Sequence, residues 1–305
     1  GTAAKYSTIT YSPGLFTINK KALTVTPTNQ DIVYGATAAI SFGVTGFATI
    51  GGTLESAATA AGYTAPTCAV STYSATSNAG TTHTINCSGG LANNYTFTTT
   101  ATATATVIKA TLSVVPDAKS VNYGDVAPTL TLNVNGFKNS QTAANAASYV
   151  APTCSSSYTR TSVAGTPVAI SCSGGTATNY IFDNTATASI TIAKLGTLTI
   201  TAGSPSAINY GGSTPTNSFS SSGRAANDVI SGVTYSYSGT SGTSYGPSAT
   251  APVLPGTYSI TPSAATFSTG STSNYTTITY VAGTCKINAA TLVITAASPA
   301  TIFYS

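Results

Sequence analysis

The chain has 305 residues, of which only 5% are charged, against the roughly 25% usual for soluble globular domains. Its net charge of +4 comes from ten scattered Lys and Arg, only two of them Arg, which excludes a nucleic-acid stripe or a polybasic membrane patch. No run of about 18 apolar residues exists to span a bilayer, and no secretory leader is visible, although an internal or processed fragment would lack one anyway.

Along the chain one pattern returns. Residues 1–20 hold Tyr6, a run rich in Thr and Ile, and a closing Ile18, and they read as the tail of a preceding repeat. Residues 21–109 form a repeat in which a β-rich lead-in reaches Tyr34-Gly35. A strand ending in Gly46-Phe47 follows, then Gly80-Thr81, then Asn94-Tyr95 opening the alternating stretch Thr96 to Val107. Residues 110–195 repeat the order with Tyr123-Gly124, the strand Leu130 to Val134, Gly136-Phe137, Gly165-Thr166 and Asn179-Tyr180. Residues 196–289 do so with the strand Thr197 to Thr201, Tyr210-Gly211, Gly256-Thr257 and Asn274-Tyr275, and residues 290–305 start a following repeat that reaches Tyr304. Intervals of 89, 87 and 94 residues between the Tyr-Gly tyrosines give each copy the length of one small domain.

The alternating stretches are rich in β-branched residues and have the period of half-buried strands. Clusters of Gly, Pro, Asn and Ser interrupt them about every ten residues, the spacing of a sandwich. Helical periodicity is weak, with Gln141 to Ser148 and Arg224 to Ile230 the candidates for a turn or two of helix. The expected fold is all-β, a tandem array of small immunoglobulin-like β-sandwich domains with six or seven strands each; β-grasp-like repeats are the alternative. Joints at Asn19 to Ala22, Lys109 to Thr111 and Ala193 to Thr197 are a few residues long and lack Gly/Ser-rich linkers, which restricts rotation.

Two repeats carry matched cysteines, Cys68 with Cys87 and Cys154 with Cys172, separated by 19 and 18 residues. The third repeat lacks both, with Pro262 standing where the second would be. Joint presence and joint loss point to a disulfide in each of the first two repeats, and so to an oxidising compartment. Zinc is the rival, but each repeat offers two thiols and no second ligand pair, His83 being the only histidine. Cys285 aligns with apolar strand positions. It reads either as a buried free thiol or as half of a disulfide to the next repeat or to another chain.

Little is available for catalysis. Asp31, Glu55, Asp117, Asp125, Asp183 and Asp228 are spread singly, so no repeated carboxylate pair offers acid and base roles. His83 aligns with Val168 and Tyr258, which marks it as space-filling. Asp31 and Asp125 are too isolated for a structural calcium at each joint. Neither a catalytic residue, a cofactor site nor a metal site is expected. The recurrent Tyr34-Gly35, Tyr123-Gly124 and Tyr210-Gly211, together with Tyr95, Tyr180 and Tyr275, read as structural motif residues: the ring covers the end of a small sheet and the glycine takes a turn conformation closed to other residues. Stacking of these rings on carbohydrate is the alternative.

This order of landmarks, Tyr-Gly, Gly-Phe, Gly-Thr, Asn-Tyr and a closing Ile with Lys or Ala, resembles the MBG or YDG-type repeats of large bacterial surface proteins. The resemblance covers essentially the whole chain. Departures are the cysteine pairs and Ser222-Gly223 in place of Gly-Phe in the third repeat. It implies a mostly β, glycine-rich module at the bacterial cell surface, with no catalytic residues to transfer. The functional expectation is a non-catalytic structural segment of an extracellular adhesin or fibre, serving as a rigid stalk or a self-associating filament body. A carbohydrate-binding module of a secreted enzyme is the alternative. Expected partners are adjacent repeats of the same chain, identical chains in a fibre and surface glycans, with neither nucleic acid nor membrane insertion. Low charge, which weakens repulsion between copies, favours lateral association.

Overall fold

The computed structural model describes residue 5 and residues 7–300, so Tyr6 and Tyr304 lie outside the described residues. Within that range the chain is all-β, with strands joined by turns and a 3-10 turn at Thr272–Asn274. The first repeat supplies β1 (Lys21–Pro27), β2 (Gln30–Val33), β3 (Phe42–Thr45), β4 (Thr49–Ile50), β5 (Thr53–Leu54), β6 (Thr67–Val70), β7 (Thr82–Ser88), β8 (Tyr95–Thr98) and β9 (Ala103–Ile108). From the second come β10 (Ala110–Pro116), β11 (Lys119–Asn122), β12 (Leu132–Asn135), β13 (Thr153–Ser156), β14 (Val168–Ser173), β15 (Tyr180–Asp183) and β16 (Thr187–Ala193). The third holds β17 (Leu195–Ala202), β18 (Ile208–Asn209), β19 (Phe219–Ser222), β20 (Val229–Thr240), β21 (Gly256–Thr269), β22 (Tyr275–Val281) and β23 (Gly283–Asn288).

Each repeat builds the same pair of sheets. In the first, the orders are β3-β1-β8 and β2-β9-β7-β6, with β4-β5 a small hairpin; in the second, β12-β10-β15 and β11-β16-β14-β13; in the third, β19-β17-β22 and β18-β23-β21-β20. The opening strand always pairs in parallel with the strand that begins at the Asn-Tyr tyrosine, as in Lys21 opposite Tyr95, Ala110 opposite Tyr180 and Leu195 opposite Tyr275. The strand before each Tyr-Gly pairs in parallel with the closing strand, as in β2 with β9, β11 with β16 and β18 with β23.

Two compact units result. One contains the described residues up to Val114, Val134–Thr153 and Ser173–Asn184; the other contains Val115–Asn133, Cys154–Cys172 and the described residues from Thr185 onward. The second repeat is divided between them.

Alternation along the strands sorts the side chains. In β10, Ala110, Leu112, Val114 and Pro116 are buried while the residues between them are exposed, the period-two pattern of a strand with one face on a core. β1 buries Leu23 and Val25 in the same way. A fully buried Leu is worth about 1.5–3 kcal/mol. These small sheets therefore depend on a few such residues, chiefly Leu23, Leu112, Leu198 and Ile200 in the three-stranded sheets and Ile85, Ile170 and Ile260 in the four-stranded ones.

Two local expectations change. The stretch Thr96 to Val107 is not one strand: β8 ends at Thr98, β9 starts at Ala103, and the two lie in different sheets. β1 offers β8 only Lys21 to Thr24 as partners, and past that point the chain crosses to the other sheet. The crossing, residues 99–102, reads Thr-Thr-Ala-Thr, with neither Gly nor Pro to mark it. Gln141 to Ser148 and Arg224 to Ile230 form turns rather than helix. Ala146 N–H donates to Thr142 O at 3.0 Å, but Ser148 has φ +54° and ends the turn. At the other site Asp228 N–H donates to Ala225 O at 3.1 Å and β20 begins at the next residue.

Disulfides join Cys68 to Cys87 and Cys154 to Cys172. The first bridges residues directly opposite on β6 and β7. In the third repeat Tyr235 stands opposite Pro262 on β20 and β21, at the register position that the bond takes in the other two.

Candidate functional site

Closing and opening strands are separated by one residue at two places, Lys109 between β9 and β10 and Lys194 between β16 and β17. Each crossing lies within one compact unit. Around each, the Tyr-Gly turn of one repeat meets the Asn-Tyr residues of the next.

In the first unit Tyr34 leaves the end of β2 with its N–H bonded to Ile108 O at 2.8 Å, the last residue of β9. Its ring is 3% exposed and stands edge-on to Tyr180, with centroids 5.5 Å apart. The Tyr34 and Tyr180 hydroxyls both donate to Gln141 Oε1, at 3.3 and 2.6 Å, and the Tyr180 hydroxyl accepts from Lys138 N–H at 3.0 Å. Phe137 packs edge-on against Tyr180 at 5.5 Å. The buried Asn179 reaches back, its Oδ1 accepting from Ala79 N–H at 2.9 Å and its Nδ2 donating to Asn78 Oδ1 at 3.0 Å. Lys109 Nζ donates to Ala177 O at 3.0 Å.

In the second unit the same arrangement returns with a carboxylate at its centre. Tyr123 N–H donates to Ala193 O at 2.9 Å, and its ring is 2% exposed. Asp228, fully buried, accepts from Tyr123 on Oδ1 and from Tyr275 on Oδ2, both at 2.6 Å. These charge-assisted bonds are stronger than neutral ones and satisfy both carboxylate oxygens, as a buried charge requires. Tyr275 also accepts from Ala225 N–H at 3.0 Å, and Asn274 Oδ1 accepts from Ala164 N–H at 3.0 Å. Burial, followed by the bond to Asp228, pushes the Tyr275 hydroxyl up to about 12 and moves Tyr123 upward as well. Burial likewise raises Tyr180.

The glycine of the motif is set by two constraints. Gly35 has φ +82°, where L side chains are strained, and a Cβ on it would lie 2.5 Å from Lys138 Cβ. At Gly124, φ is +86° and a Cβ would lie 3.1 Å from Ala225 Cβ. Ser222-Gly223 is less of a departure than the sequence suggests. Gly223 takes the place of Gly46 and Gly136, each with positive φ and its α-carbon against the backbone oxygen of the opening strand, at Thr197, Ala22 and Thr111 respectively. Only the following Phe is replaced, by Arg224, and Phe267 packs on Tyr275 instead.

Two motif positions stand apart from this pattern. Tyr210 N–H donates to Asn288 O at 2.8 Å, as at the other Tyr-Gly turns, but its ring is 51% exposed. Tyr95 donates to Glu55 and accepts from Ala48 N–H at 2.9 Å. Its pKa is raised first by that bond to Glu55. Glu55, Gln141 and Asp228 thus play one part in three repeats, which the sequence reading missed because three residue types share it. Glu55 and Gln141 do stand at nearly equal distances before their Asn-Tyr tyrosines, a signal present in the sequence.

Other candidate residues lie elsewhere. Cys285 is a free thiol, 3% exposed, in a core with Ala202, Tyr237 and Ile260, and burial raises its pKa. His83 packs edge-on against Tyr73 at 5.6 Å and touches the hydroxyls of Thr72 and Thr81. Asp125 Oδ2 accepts from Asn122 N–H at 2.8 Å, a local turn bond. Among the described residues, no three His, Cys, Asp or Glu come together as metal ligands.

Residues 112–189 match the MBG domain (YGX type). The MBG match spans most of the second repeat and contains Tyr123-Gly124 and Tyr180, in agreement with the resemblance drawn from the landmarks. No curated protein sequence matches the chain. Among solved structures, similarity is found to Drosophila N-cadherin EC1-3, at 13% identity over 68% of this chain and 77% of that one, with a TM-score of 0.20. The I9-I11 tandem from titin is similar at 8% identity over 88% of this chain and 100% of that one, with a TM-score of 0.20. The N-terminal four Ig domains of Dscam1 isoform 8.4 share 8% identity over 68% of this chain and 55% of theirs, with a TM-score of 0.23. At such scores these likenesses carry no weight beyond the strands and sheets already described.

Proposed function

We propose that the chain is a non-catalytic structural segment of an extracellular bacterial surface protein, a stiff stalk in which repeats 21–109, 110–195 and 196–289 are locked in series. The observation that carries this reading is the joint. One residue separates closing from opening strand, and two tyrosines from consecutive repeats share one acceptor, the half-buried Gln141 at the first joint and the buried Asp228 at the second. A flexible tether needs a solvated linker of several residues, and these joints replace it with buried, directional contacts. Disulfides in two repeats suit an oxidising exterior. The carbohydrate-binding alternative loses most of its natural platform, because Tyr34, Tyr95, Tyr123, Tyr180 and Tyr275 are buried and Tyr210 alone of the described motif tyrosines is exposed. Asn274, within a glycosylation sequon, is buried with its side chain engaged, which removes it as a sugar acceptor.

Small-angle X-ray scattering on the purified chain tests the proposal. A stiff array gives a cross-section and maximum dimension that stay fixed with salt and concentration. A distribution of dimensions fitting freely hinged domains would overturn it.

A further inference from the structure

The first repeat contains every part of the Asn-Tyr side of a joint. Its Tyr95 is held by Glu55 and by Ala48 N–H, as Tyr180 is held by Gln141 and Lys138 N–H, and Tyr275 by Asp228 and Ala225 N–H. Lys20 Nζ donates to Ala92 O at 3.4 Å, as Lys109 does to Ala177 O. Where Tyr34 and Tyr123 fill the other two, this one is hollow. A cavity of about 530 Å³ is lined by Ile18, Lys20, Ala48, Glu55, Asn94 and Tyr95, among others. Asn94 is exposed there, whereas Asn179 and Asn274 are buried with their amides engaged.

We infer that this hollow is the seat of a Tyr-Gly turn from a preceding repeat of the same polypeptide, whose tyrosine donates to Glu55 and whose glycine lies on Ala48, while the backbone N–H just before the Gly-Thr step of that repeat reaches Asn94, as those of Ala79 and Ala164 reach Asn179 and Asn274. The inference rests on the array proposed above. The chemistry fits: the acceptor is a carboxylate that already holds one tyrosine, and Asp228 is a carboxylate that holds two. Ala48 occupies the position where Lys138 and Ala225 meet Gly35 and Gly124.

Chain continuity selects the occupant. At each filled joint the incoming tyrosine is bonded to the carbonyl at the end of the closing strand, one residue before the opening strand of the receiving repeat. Ile18, Asn19 and Lys20 already hold that approach to β1. The exposed Tyr210 of a second copy is bonded to Asn288, and its own Ala289 and Ala290 would need the space of Asn19 and Lys20.

The test duplicates residues 21–109 ahead of Lys21 in the full chain and follows amide hydrogen exchange at Ala48 and at Asn93 to Tyr95 of the original first repeat. Filling the seat slows exchange there about tenfold or more relative to the parent chain, and Tyr34→Ala in the added copy alone restores the parent rate. An extension copied from residues 110–194 supplies a second incoming tyrosine, Tyr123, should the first fail to close its disulfide. Unchanged exchange in a folded extension overturns the inference. So does concentration-dependent protection in the parent chain that Tyr210→Ala abolishes, which would assign the seat to a second copy. Scattering dimensions report on stiffness separately from this local protection, so the two proposals fail independently.

Discussion

Tyr123 and Tyr275, from consecutive repeats, donate to the two oxygens of one buried carboxylate, that of Asp228. The bond pair therefore ties the end of one repeat to the middle of the next.

Removing that carboxylate exposes the dependence. Asp228→Ala leaves two buried hydroxyls without their acceptor, at a cost of about 3 kcal/mol or more from two hydrogen bonds to a charged group. Asp228→Asn keeps one acceptor oxygen and is milder. Denaturant unfolding of the full chain checks the order, with Asp228→Ala the lower in midpoint.

The Tyr-Gly tyrosines differ in what they support. Tyr34→Ala empties a core site and costs about 3–5 kcal/mol. Tyr210→Ala, at a half-exposed ring, stays within about 0.5 kcal/mol. Gly35→Ala is more damaging than Gly211→Ala, because only Gly35 has a side chain pressed against its α-carbon. Thermal melts of the four variants rank these effects.

Alkali loosens the second unit. Tyr275 ionises at about 12 when folded and near 10 when unfolded, so the unfolded chain sheds this proton first. The stabilisation is complete below about pH 10 and is lost as pH rises toward about 12. Unfolding midpoints measured across that window should fall, and Tyr275→Phe should flatten the fall while lowering stability at neutral pH.

Reduction acts on two repeats only. Opening loops of 19 and 18 residues costs about 3 kcal/mol each by the chain-entropy estimate. The third repeat, with Tyr235 opposite Pro262, loses nothing. Exchange measured with and without reductant should show the difference, and Cys285 should resist alkylation in the native chain while reacting once denatured.

Much of this architecture is written in period-two alternation. The alternating residues of Leu130 to Val134 and Thr197 to Thr201 mark strands because one face is covered, half-buried in the first and buried in the second, and Tyr-Gly marks the repeat because its glycine takes a positive φ. Where the chain changes sheet was not legible: Thr98 to Thr106 holds only Thr and Ala, Thr suits either sheet, and the four unpaired residues between β8 and β9 include no Gly or Pro. The joint was half legible. Its tyrosines recur at fixed places, but their acceptor is Glu, Gln or Asp, and chemistry shared by three residue types leaves no repeated letter.

The first and last strands of the first repeat, β1 and β9, are inner strands of their sheets, β1 between β3 and β8 and β9 between β2 and β7. The third repeat places β17 and β23 likewise. Tension drawn along the backbone enters and leaves such a domain through strands gripped on both sides. It therefore loads several interstrand hydrogen bonds in shear at once, instead of peeling an edge strand away one bond at a time.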